Sequence, residues 1–76
     1  MTLEWIDPPK EIATLERVTQ ELHSNPGEWA ILLRNAIQPH DGFLAYLTKK
    51  NIEWHMIPTG NRLRINLYAR APKENR

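Results

Sequence analysis

The sequence contains no cysteine, and this absence excludes two common ways of stabilising a small fold. Neither a disulfide nor a zinc site built on thiolates can hold the chain together. A chain without cysteine suits a reducing compartment, so we expect a cytoplasmic protein. The sequence also lacks an apolar run near the ~20 residues of a membrane span, and its N-terminus lacks an apolar signal-peptide segment. We therefore expect no membrane partner.

Patterns that carry catalysis or metal binding are also missing. The chain has three glycines, and none belongs to a phosphate-binding glycine loop. No histidine has a second histidine four residues away, and a metal site needs several converging ligands. The glutamates of the N-terminal half have the spacing of a solvated helix face, and Ser24 beside His23 has no third, orienting group. We therefore expect no catalytic residue, no metal, no cofactor and no enzyme.

The size of the chain limits it to one small core. At 8.9 kDa it should bury about 60–65% of the surface that the unfolded chain exposes. We predict one domain over residues 1–76, with 1–6 and 71–76 as flexible or edge tails. A homodimer would add buried area and stays open. The net charge of +1 hides an asymmetry, because residues 1–38 carry a net charge of −3 and residues 39–76 a net charge of +4.

The clearest pattern is a β-hairpin over Ile52 to Arg70. Residues 62–70 alternate without a break, and alternation is typical of a strand that is buried on one face. The turn formers at 58–61 favour a two-residue turn at Thr59-Gly60. That turn places Trp54 opposite Ile65 and Met56 opposite Leu63, all on the buried face. The outer face then carries these side chains, with Glu53 near Arg64: His55, Arg62, Arg64, Asn66, Tyr68 and Arg70.

Two helices and one further strand precede the hairpin. Asp7 and Pro8 can cap and begin a first helix, whose apolar stripe is Ile12, Leu15, Val18, Thr19 and Leu22. Residues 29–33 are apolar at both odd and even positions, which predicts a strand covered on both faces. A second helix should run from about residue 40 to residue 50. The fold class is therefore α+β in the order α-β-α-β-β, with both helices on one face of a three-stranded sheet. Residues 2–6 are either an edge strand or a tail, and we slightly favour the tail.

The basic outer face of the hairpin is the best functional lead. Arg62, Arg64 and Arg70, together with Lys73 and Arg76, could neutralise phosphates, and Tyr68 and His55 could stack on bases. Long charged side chains also solvate a sheet face that binds nothing, and that explanation stays open, because a net charge of +1 is low for a nucleic-acid-binding protein.

Trp5 indicates a competing class of function. It either packs locally or anchors a protein partner, because aromatic residues dominate interface hot spots. We predict that Trp54 lies in the core and that Trp29 anchors the first helix against the sheet. The alternative to nucleic-acid binding is thus a factor that inhibits or redirects another protein through an apolar or edge-strand surface.

Two resemblances bear on these alternatives. Asn25-Pro26-Gly27-Glu28-Trp29 before a strand and the closing Leu67-Tyr68-Ala69-Arg70 resemble small uncharacterised proteins encoded by actinobacterial phages. That resemblance implies a non-enzymatic accessory protein that binds a host protein or nucleic acid in the host cytoplasm. The order α-β-α-β-β with a basic hairpin is similar to the Alba-type nucleic-acid binders at the level of fold, although the sequence shows no convincing first strand.

Overall fold

The chain folds in the order β-α-β-α-β-β, and a computed structural model describes residues 1–73. The elements are β1 (Thr2–Ile6), α1 (Glu11–Ser24), β2 (Ala30–Asn35), α2 (Asp41–Lys49), β3 (Glu53–Ile57) and β4 (Arg64–Arg70), with a 3-10 turn at Pro8–Lys10. The four strands have the order β1-β2-β4-β3, and β1 is parallel to β2 whereas the other neighbours are antiparallel. The α+β class with two helices is confirmed, and the prediction of three strands is wrong.

The fourth strand is β1, at the edge of the sheet. The sequence slightly favours a tail at residues 2–6, but Thr2 lies beside Ala30 and Ile6 beside Arg34 in a regular parallel ladder. Ile6 is fully buried, and the rest of the strand is exposed or half-buried. The alternation in Thr-Leu-Glu-Trp-Ile puts an apolar side chain on each face, so the segment does not show the one-sided pattern that marks a typical edge strand.

The core lies between the helices and one face of the sheet. Leu15, Val18 and Leu22 of α1 and Phe43 and Leu47 of α2 form one cluster with buried residues of the strands. Burying a side chain of this size contributes about 1.5–3 kcal/mol, so this cluster is the main source of stability. No helix within residues 1–73 is long and apolar enough to cross a membrane.

The start of α1 differs from the prediction in two ways. The Asp7 side chain makes no capping hydrogen bond; instead its backbone carbonyl accepts a 2.8 Å hydrogen bond from the Lys10 N–H. The prolines at positions 8 and 9 form a 3-10 turn before the α-helix begins at Glu11. Ile12 lies in the first turn of the helix and is exposed, outside the buried stripe.

The hairpin forms with a register four residues from the predicted one. Trp54 pairs with Ala69 and Met56 with Leu67, rather than with Ile65 and Leu63. The turn formers do not make a two-residue turn; they belong to a connection over residues 58–63, in which the Asn61 side chain accepts a hydrogen bond from the Leu63 N–H. Since the shift is even, each residue of β3 and β4 keeps its predicted side of the sheet, but Met56, which was predicted to be buried, is exposed near the edge of the sheet.

Leu63 and Arg62 lie in this longer connection and not on a strand. Leu63 is exposed instead of buried, and its carbonyl accepts a 2.9 Å hydrogen bond from the Ala36 N–H. Trp54 is half-buried against the core, and its indole N–H donates to the Thr48 hydroxyl at 3.1 Å. The prediction that Trp54 packs on the core therefore agrees with its position, although its cross-strand partner differs.

Arg34 is the one charged side chain in the core of the described chain, at 2% exposure. Its guanidinium pairs with the Glu11 carboxylate and donates to the carbonyls of Asn35, Gln38 and Pro39. It also lies 5.7 Å from the centre of the Phe43 ring. One side chain of β2 thus joins the start of α1 to the loop that leads into α2.

Candidate functional site

The sheet has a second face, opposite the helices, which we call the open face. The parity of the strand ladders assigns these residues to it: Leu3, Trp5, Ile31, Leu33, Asn35, Glu53, His55, Ile57, Arg64, Asn66, Tyr68 and Arg70. Its β3–β4 half is polar and aromatic, as predicted from the alternation. Its β1–β2 half is apolar, because the added strand brings Leu3 and Trp5 beside Ile31 and Leu33. The face is therefore mixed and not simply basic.

Arg64 and Trp5 meet at one end of the open face. The centre of the guanidinium lies 4.9 Å from the centroid of the Trp5 ring, within the range of a cation–π contact. The Trp5 side chain is 53% exposed, so much of its indole surface is accessible. The sequence assigned Arg64 to a nucleic-acid surface and Trp5 to a protein-binding surface. The structure places both residues on one surface.

An aromatic cluster lies at the other end of the open face. The Trp29 ring meets the rings of His55 and Tyr68 edge to face, at 5.8 and 6.0 Å between centroids, and Arg70 lies 4.3 Å from the Trp29 centroid. With Met1, these three rings line a shallow depression of about 400 Å³. The sequence predicts that Trp29 anchors the first helix against the sheet; in the structure Trp29 lies just before β2, it lines a cavity with Val18 and Leu22 of α1, and its ring contacts His55, Tyr68 and Arg70 on the open face.

Glu53 links His55 and Arg70 beneath this cluster. Its carboxylate lies 2.8 Å from His55 Nε2 and accepts a 3.0 Å hydrogen bond from Arg70 Nε. The hydrogen bond with His55 and then the one with Arg70 hold the pKa of Glu53 below its usual value. In the observed register Glu53 pairs directly with Arg70, and not diagonally with Arg64 as predicted. Arg70 is therefore a partly neutralised cation.

Arg64 and Arg62 have no carboxylate partner within residues 1–73. Arg64 begins β4 on the open face, and Arg62 lies close by in the exposed connection that precedes it. Lys73, another predicted cation, lies beside Gly27 at the far end of β4. Arg76 lies outside the described residues. The structure thus places one arginine without a carboxylate partner in the described chain, Arg64, next to Trp5 on this face.

Asn66 is a candidate contact residue that the sequence did not single out. It lies on the open face between Leu33 and Ile57, its neighbours across β4. Its Oδ1 atom is buried and has no hydrogen-bond partner in the part of the chain described. An unpaired buried polar atom costs free energy, and because this atom has almost no exposed surface, a ligand could supply a donor only after the Asn66 side chain moved. Alternation predicts which face Asn66 lies on, but no sequence signal shows that its amide is unpaired.

Comparisons with known proteins do not assign a function to this face. No protein family, no curated protein and no solved structure matches the chain. Within residues 1–73 no group of three histidine or acidic side chains could hold a metal ion. The geometry of the open face is therefore the only indication of its function.

Proposed function

We propose that this protein is a non-enzymatic binding module whose open face contacts single-stranded nucleic acid. The observation that carries the proposal is the pair of a half-exposed Trp5 ring and an Arg64 guanidinium with no carboxylate partner in the described chain. Tyr68 and His55 offer further rings, and Arg62 a further cation, at the positions that the sequence predicts for contact. In keeping with the phage-protein resemblance, we propose an accessory role in a host cytoplasm.

The exposed aromatic rings favour a binding surface over a sheet face whose charged side chains serve only for solvation. Solvation of a sheet face explains arginines, but it does not explain why large rings remain exposed beside them. Tyr68 is 39% exposed and Trp5 is more exposed still. Stacking of a base on such a ring is worth about 1–3 kcal/mol. Two rings and two unpaired arginines would therefore supply a modest affinity in spite of the low net charge.

The shape of the face favours single strands over duplex. Within residues 1–73 both helices pack on the opposite face, so no helix of the described chain could enter a major groove from the open face. Exposed rings stack on bases only when the bases are unpaired. β1 supplies the first strand that the sequence lacked in its likeness to the Alba-type binders, although no solved structure matches the chain. That likeness is an analogy of fold and supports nucleic-acid binding only at that level.

The first test is a titration of a fluorescein-labelled oligothymidylate, followed by fluorescence anisotropy. We expect binding that weakens with salt with a slope of about −0.7 per neutralised phosphate, so about −1.4 for two contacts. Arg62→Ala/Arg64→Ala should remove most of this slope and most of the affinity. Lys10→Ala/Lys49→Ala removes the same charge from exposed sites away from the open face, and should bind as the wild type does. Equal losses in the two variants would contradict the proposal.

The apolar half of the open face favours a second candidate function, a factor that binds a host protein. Leu3, Trp5 and Leu33 form an apolar strip along β1 and β2. Such a ligand should bind in moderate salt and be retained in a pull-down performed with nuclease. It should be lost in Trp5→Ala and kept in Arg62→Ala/Arg64→Ala. This pattern would assign the face to protein recognition instead of nucleic acid.

A further inference from the structure

The outer edge of β1 is only weakly protected against pairing. No segment within residues 1–73 pairs with it. Natural edges are protected by charged side chains, proline, a β-bulge or a very short strand. The five residues of β1 include neither lysine nor proline and pair with β2 one to one without a bulge, and their one charged side chain, Glu4, is paired with Arg17 of α1. The opposite edge differs, because β3 carries Glu53 and His55 on the open face and Pro58 follows it.

We propose that β1 pairs with β1 of a second copy of this chain, antiparallel, about a two-fold axis at Glu4. This register pairs all five residues of the strand. It places Leu3 beside Trp5 of the second copy, and the symmetry repeats that contact. Leu3 and Trp5 are 56% and 53% exposed on the same face, so the pairing covers apolar surface that the monomer leaves in water. The proposal does not depend on nucleic-acid binding.

The same register places Glu4 opposite Glu4, and like charges facing each other oppose pairing. The ion pair of Glu4 with Arg17 reduces this repulsion. Arg17 donates to both carboxylate oxygens of Glu4, at 3.1 and 3.0 Å. The hydrogen bond with Glu4, followed by that with Glu21, raises the pKa of Arg17 above its usual value. Each carboxylate would therefore enter the interface with its own guanidinium partner.

The length of β1 sets the strength of the dimer. Five residues at a rise of ~3.4 Å give a contact only ~17 Å long, so we expect it to bury less than the ~800 Å² per partner of a standard interface. We therefore infer a concentration-dependent equilibrium between monomer and dimer, not a permanent dimer. The pairing would join two four-stranded sheets into one of eight strands, with both open faces on the same side.

Sedimentation equilibrium on nuclease-treated protein tests the pairing without any nucleic acid. The average mass should rise from 8.9 kDa toward twice that value as the concentration increases. Leu3→Lys places a charge beside Trp5 of the second copy, and should raise the dissociation constant at least tenfold. Ile37→Lys makes the same change at a 68% exposed site in the loop before α2, and should behave as the wild type does. A wild type that stays monomeric, or equal effects of the two lysines, would overturn the proposal.

Cysteine scanning tests the register, because the chain has no cysteine of its own. Residue 4 is the strand position that faces itself, so its two Cα atoms should be ~4.5–5.5 Å apart, within reach of a disulfide. Glu4→Cys should therefore form a covalent dimer under mild oxidation. Thr2→Cys should not, because the two copies of residue 2 are four residues out of register. Cross-linking of both variants at the same rate, or of neither, would exclude this two-fold pairing.

Discussion

Arg34→Met tests whether the buried ion pair determines the stability of the fold. The guanidinium is almost fully buried, and its removal leaves the Glu11 carboxylate, whose side chain is 15% exposed, without its partner. Breaking a buried pair on one side typically costs 3–5 kcal/mol. The carbonyls of Gln38 and Pro39 also lose a donor, but the loop around them is exposed and water can replace it. We therefore expect a loss of about 3 kcal/mol.

This loss is large for a chain of 76 residues, whose free energy of unfolding should be about 4–11 kcal/mol. Urea unfolding followed by tryptophan fluorescence measures the loss directly. The double variant Arg34→Met/Glu11→Leu removes both charges, and should recover at least half of the lost stability. Arg17→Met is the matched control, because Arg17 is half-exposed although it has two glutamate partners, and an exposed pair is worth ~0–1 kcal/mol.

Two results would contradict this reasoning. A loss below ~1 kcal/mol in Arg34→Met would mean that Glu11 finds water or another donor without cost. A double variant less stable than Arg34→Met would mean that the packing of the two side chains matters more than their charges. In either case Arg34 would no longer be the link between the start of α1 and the loop before α2.

For three further substitutions, the structure determines whether the stability of the protein should rise or fall. Gly27→Ala should cost about 1–2 kcal/mol, because Gly27 has φ +84° and a methyl group there would meet the Lys73 side chain. Gly42→Ala, in open space on α2, should instead stabilise the protein by about 0.5–1 kcal/mol in the same urea assay. The lowered pKa of Glu53 stabilises the fold above about pH 4.5, and this contribution is lost as the pH falls through the folded-state pKa. Glu53→Gln should therefore reduce the difference in urea midpoint between pH 7 and pH 3, and an unchanged difference would refute that assignment.

Alternation predicted the faces of the hairpin better than its register. The outward positions of Arg64, Tyr68 and Arg70 follow from the parity of β4, and a shift of four residues leaves that parity unchanged. The register itself depends on the turn, and the hydrogen bonds of Asn61 with Leu63 and Arg64 extend the connection beyond two residues. A cluster of turn formers predicts where a turn lies, but not how many residues it uses.

The features that the sequence did not predict depend on residues far apart in the chain. Arg34 is buried because Glu11, 23 residues away, lies opposite it, and a charged residue at the end of an apolar strand otherwise predicts exposure. Trp5 joins the candidate site because β1 pairs with β2 and not with the hairpin, which allows Arg64 to reach across β2. Neither pairing leaves a periodic signal in its own segment.

The central position of β4 has a consequence for synthesis of the protein. β4 is the last strand in the sequence, yet it pairs with β2 on one side and with β3 on the other. Until residues 64–70 have left the ribosome, β2 and β3 have no strand between them, and Leu32 lacks its cross-strand neighbour Leu67. The β1–β2 pair and α1 can form earlier, but the whole sheet can close only after residues 64–70 are released. Folding of the sheet therefore follows the synthesis of its central strand, β4.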